Sequence, residues 1–142
     1  MYEVLLVLHF LGLALGVGTS FAFFTLGVST QSMSAEERTQ FMLRASALSK
    51  NGSIGLALLI ISGIGFLVTR GFGPVMQMGG GAFHTKLLLV LVLSGLVGYS
   101  QVLLKKAKQA NGGPTMAKIP GVSRLILATG VVIVILAVIA FK

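Results

Sequence analysis

The chain has no cysteine, no tryptophan, only three acidic residues, and charge on just 10% of its 142 positions. Without cysteine there is no disulfide, no thiolate-held iron–sulfur cluster and no covalent c-type haem, whose attachment needs C-x-x-C-H. Glu3 stands at the amino end, and Glu36 and Glu37 lie between the first two apolar stretches. No carboxylate pair is therefore placed inside an apolar stretch for general acid–base work, which makes hydrolases and carboxylate-dependent proton pumps poor readings.

What fills the chain instead is apolar sequence, 55% of all residues. Four stretches approach the ~20 residues that a helix needs to cross a bilayer. They are read as spans at about 3–28, 53–70, 83–104 and 124–141. Their apolar runs are continuous, whereas barrel strands alternate with period two, so the spans are helices. The expected fold is an all-α integral membrane protein, a four-transmembrane-helix bundle in which one domain takes up residues 1–142. Met1-Tyr2-Glu3 carries no Lys or Arg, and the run behind it is too long for a signal-peptide core, so the first span is expected to remain as a helix.

The net charge of +8 follows the loops. Arg38, Arg44 and Lys50 lie between spans one and two, and Lys105, Lys106, Lys108, Lys118 and Arg124 around the connection between spans three and four. Only Arg70, Lys86 and Lys142 lie on the other side. The positive-inside rule then puts both basic connections in the cytoplasm and both termini outside. No nucleic-acid partner is expected, because the basic residues are not interleaved with aromatics and form no recognisable module. The expected surroundings are lipid bilayer, with a homo-oligomer as an open possibility.

The connections differ in character. Ser34-Ala35-Glu36-Glu37 has the form of a capping box, and Phe41, Ala45 and Leu48 follow at helical spacing, which predicts a short amphipathic helix. Asn51-Gly52 marks a break before span two, unless that helix runs through it. Residues 71–81, with Gly73, Pro74 and Gly79-Gly80-Gly81, read as a glycine-rich external connection. Asn111-Gly112-Gly113-Pro114 and Pro120-Gly121 are turn signals.

His9 in span one and His84 at the head of span three are the only histidines. An ionisable side chain in a span is costly and generally faces the bundle interior, where it marks a pathway or a ligand. At about 100° per residue, Gly12, Gly16, Thr19 and Ser20 fall near the His9 face. Leu87, Leu88, Leu91, Gly95, Gly98 and Tyr99 share the face of His84. The opposite side, Leu89, Val90, Leu93, Leu96 and Val97 with Lys86, reads as lipid-facing. Small residues such as Gly12, Gly16 and Gly95 either let helices approach closely or leave room for a flat cofactor.

Spans one and three run in the same direction, so the two imidazoles belong to one leaflet. They are candidates for both axial ligands of a b-type haem, although at ~1.5 Å per residue their depths differ by several ångströms. Arg70 and Lys86 are cations on the same side, suited to haem propionates or to the headgroups. Two other readings stand beside this one. In one, Met76, Met78 and His84 form a soft donor set for Cu(I); in the other, both histidines are hydrogen-bonded packing residues of a structural subunit.

Phe83-His84-Thr85-Lys86-Leu87, with Gly98-Tyr99 further along the same span and Leu8-His9 in the first, resembles the HemJ type of protoporphyrinogen oxidase and the related copper-resistance family CopD. The resemblance covers spans one to three. It implies a small helical membrane domain, as in the inner membrane of a bacterium, with haem binding and activity carried by His9, His84 and Lys86. It further implies a redox partner or a porphyrin substrate. The chain departs from the HemJ pattern at Ala14-Leu15-Gly16, where a tryptophan-containing stretch is the rule, and at Ser100, where a further histidine follows the tyrosine.

Overall fold

A computed structural model describes residues 1–140 of the chain, with side chains at all of these except 78, 79, 82 and 140. Five helices follow one another: α1 (Tyr2–Ser29), α2 (Ala35–Ala45), α3 (Ser49–Arg70), α4 (Phe72–Gln109) and α5 (Ile119–Ala140). No strand occurs among the described residues. Four helical stretches, Tyr2–Ser32, Ala35–Arg70, Phe83–Gln109 and Pro114–Ile139, are long and apolar enough to cross a membrane. All four expected spans are thus helices. Position 141, the last of the fourth expected span, and Lys142 lie outside the described residues.

Local chemistry sets the helix ends. The Ser34 hydroxyl accepts from the backbone N–H of Glu37, whose carboxylate accepts from the Ser34 N–H, so the capping box expected at α2 forms. α4 closes in a Schellman turn, with Gly112 N–H bonded to Ala107 O and Asn111 N–H to Lys108 O. Asn111, Gly112 and Gly113 all take positive φ there.

One open reading is decided, and one connection departs from expectation. Asn51-Gly52 does not break the chain, because α3 starts at Ser49 and runs through it after a 3₁₀ turn at Ser46–Leu48. Residues 71–81 are not an irregular loop. Gly71 alone turns the chain at φ 82°, and helix resumes at Phe72, interrupted once at Gly80 where φ 49° and ψ −144° leave the helical region. Glycine density reads as loop in a sequence, yet a helix needs only one non-helical residue to bend.

Each helix neighbours two others: α1 packs chiefly on α3, α4 chiefly on α5, and looser α1–α5 and α3–α4 seams close the ring. The α1–α3 pair is antiparallel, since Leu5 meets Gly65, Gly12 meets Gly55 and Thr19 meets Gly52. A methyl built on Gly55 would lie 2.6 Å from the Gly16 nitrogen and 2.7 Å from the Gly12 oxygen, so the backbones touch. That is the close-approach use of small residues. The α4–α5 pair is built instead on Leu103, Leu104, Ala107, Ile119 and Val122, with Leu43 of α2 against them. α2 also reaches the α4–α5 connection through Gln40, which donates to Asn111 Oδ1 at 3.3 Å.

Candidate functional site

His9 is half-buried on α1, and its Nδ1 lies 2.8 Å from the Oγ of Ser62 on α3. Ser62 is fully buried and its hydroxyl donates to Leu58 O at 2.6 Å, so Oγ has only a lone pair to offer the imidazole. His9 therefore donates from Nδ1, and in the neutral ring Nε2 carries the free lone pair. Phe66 sets its ring against the imidazole at 5.7 Å and against Tyr2 at 5.4 Å. Arg70 closes this end, its guanidinium 4.8 Å from the Tyr2 ring centre. That contact is a cation–π pair on an exposed side chain, a role not among those expected for Arg70.

α4 is rotated relative to expectation. His84, Leu87, Leu88, Leu91, Gly95, Gly98 and Tyr99 are all exposed, while Lys86, Leu89, Val90, Leu93, Leu96 and Val97 are half-buried. The face assigned to lipid thus packs inward, and the face assigned to the interior points out. The physical reason is that both sides of this span are aliphatic, and close van der Waals packing decides which turns inward. Lys86, half-buried, lies on the inward side of α4.

His84 donates from Nδ1 to Gly80 O at 2.9 Å, so in the neutral ring its Nε2 is also the free nitrogen, on an exposed face. The structure brings together His9 and Ser62, but it does not bring His84 to them. Gly12 is closed by α3, since a methyl there would meet Gly55 O at 2.7 Å, so it leaves no slot for a flat ring. Gly16 borders an interior cavity that neither histidine lines. Gly95 points outward, with nothing within 4 Å of an added methyl. Among the described residues no group of three His, Cys, Asp or Glu could hold a metal. Met76 is half-buried, and the Met78 side chain of the candidate copper set lies outside the described residues.

No family model, no curated protein and no solved structure matches this chain. The candidate site accordingly rests on its own geometry. Sequence reasoning missed Ser62, although a lone hydroxyl after Leu58-Leu59-Ile60-Ile61 was a signal: a polar group in a span seeks a partner.

The residues include the kinds of donor that a haem uses. His9 offers an oriented imidazole nitrogen to an iron, and Lys86 offers an ammonium of the kind that pairs with a propionate. They do not fit a haem sandwiched by both histidines of one chain, because His84 and Lys86 occupy opposite sides of α4.

Proposed function

We propose that the protein is a b-type haem-binding membrane protein serving electron transfer or a haem-pathway oxidation of the protoporphyrinogen oxidase kind. The observation that carries this reading is the His9 ring, tethered through Nδ1 to a fully buried hydroxyl. Tethering one ring nitrogen fixes tautomer and orientation, and raises the basicity of the other as a ligand. Ser62 thus acts as the positioning residue, His9 as the ligand and Lys86 as the counter-charge. Phe66 keeps water from the imidazole edge. When bound, haem supplies an iron that accepts and returns one electron. His84 completes a bis-histidine pair only from a neighbouring copy of the chain, which gives a homo-oligomer a definite role.

The basic residues around α2 and the α4–α5 connection support a bacterial inner-membrane setting with both termini outside the cytoplasm. The redox partner, or a porphyrin substrate, then reaches the site from the outer half of the bilayer.

The test is the visible spectrum of protein purified from cells supplied with haem. A Soret band is expected, lost in His9→Ala and weakened in Ser62→Ala, while His84→Ala leaves the monomer's spectrum unchanged. Full haem occupancy in His9→Ala would overturn the ligand assignment. Stoichiometric Cu(I) without haem, lost in Met76→Leu with Met78→Leu, would overturn the haem reading in favour of copper handling through His84 and the methionines.

A further inference from the structure

The bundle holds a partly open cavity of about 100 Å³ on the α2 side of His9, lined by all four long helices. Its lining is sorted by height. Thr19, Ser53, Ser100, Gln101 and Ser123 form a polar tier, with Phe23, Leu104 and Ile119 beyond it on the α2 side, whereas Leu13, Leu59, Leu93 and Ile133 line the part nearer mid-span. No charged residue lines it. The polar tier is not closed on itself: Gln101 gives one N–H to Ser53 Oγ at 3.1 Å, and its carbonyl oxygen has no partner among the described residues. Nor do the Thr19 and Ser123 hydroxyls bond to any described residue, and in a span such groups need water or a ligand. Two glycines widen the space, since a methyl added at Gly16 or Gly130 meets nothing within 4 Å.

Each property selects against a class of occupant. An uncharged lining rejects phospholipid headgroups and other ions, whose burial without a counter-charge is costly. The volume is about two thirds of the roughly 150 Å³ that takes benzene, so a ring enters only with part of it in the cavity's open side, and a porphyrin or a sterol does not fit. A polar tier beside an apolar part asks for a head that hydrogen-bonds and a tail that does not.

We propose that this cavity binds a neutral lipophile of the quinone class, its ring oxygen meeting Gln101 and Ser53 and its apolar tail leaving toward mid-membrane. The site is separate from the haem reading. Neither His9 nor His84 touches it, so the two fail independently.

The experiment uses the full chain in detergent with a decyl-tailed benzoquinone as probe and decylbenzene as the same shape without oxygens. Saturable binding of the quinone is expected, with decylbenzene weaker by about tenfold, the worth of a buried hydrogen bond. Gln101→Leu should lose about tenfold in quinone affinity and bind the two probes alike, as the head loses its partner. Gly16→Ala with Gly130→Ala should weaken both probes by filling the ring's space, and alanine favours the helix, so this variant keeps the test alive if Gln101→Leu fails to fold. Equal affinity of the wild type for both probes, or quinone binding untouched by the double alanine variant, would overturn the proposal. No quinone binding in the wild type would do so as well and leave the polar tier to water. In all these variants the Soret band should stay as in the wild type.

Discussion

The α1–α3 and α4–α5 seams solve the same problem with opposite materials. In the first, Gly12, Gly16 and Gly55 bring backbone against backbone. In the second, Leu103, Leu104, Ile119 and Val122 interlock as side chains. Lipid tails are as apolar as leucine, so neither seam gains from water exclusion within a bilayer, and both depend on contact quality. A backbone seam has no flexible atom to move aside. It is the stiffer of the two, and the His9–Ser62 pair is mounted on it, whereas His84 sits on the outward face of a helix from the aliphatic pair.

That contrast predicts unequal tolerance. The largest effect is expected from Gly55→Leu: even its first carbon would overlap Gly16 and Gly12, so the cost exceeds the ~1–3 kcal/mol typical of overpacked cores and the α1–α3 pair separates. Thermal unfolding in detergent checks this, and a variant as stable as wild type would abolish the distinction between the seams. Ser62→Ala should cost less, about 0.6 kcal/mol as is average for side-chain hydrogen bonds within membranes, and should let the His9 ring rotate. Nitrogen-15 spectra of the imidazole should then move toward a mixture of tautomers, whereas a cavity effect alone would leave them as they are. No loss is expected from Gly95→Ala on the outward face of α4, where the change lies between neutral and a gain of up to ~1 kcal/mol from helix propensity. Marked destabilisation there would mean that this face is covered by another chain.

Hydropathy carried the positions of the spans, and the spacing of Ser34 and Glu37 carried the start of α2. What sequence could not carry was rotation. Leu87 to Val97 is aliphatic all round, so no periodicity tells the side of Lys86 from the side of His84. The rule that small residues and histidines face inward then chose wrongly, because Gly95, Gly98 and His84 share a face that α5 and α3 leave uncovered. For His9 the rule succeeded. There the glycines stand opposite other glycines, a coincidence between two helices that becomes visible only when Gly12 is set against Gly55. Gly71–Gly81 misled for a related reason, since composition counts glycines but only Gly71 and Gly80 use their freedom.

The two tight pairs have a consequence for how the molecule is made. Each is continuous in the chain, α1 with α3 up to Arg70 and α4 with α5 from Phe72 onward, and they meet at Gly71. During synthesis the first pair, complete with its polar mount for His9, is in the ribosome's wake before α5 has been translated. The topology therefore favours assembly by the docking of two halves, each able to form its own tight pair first.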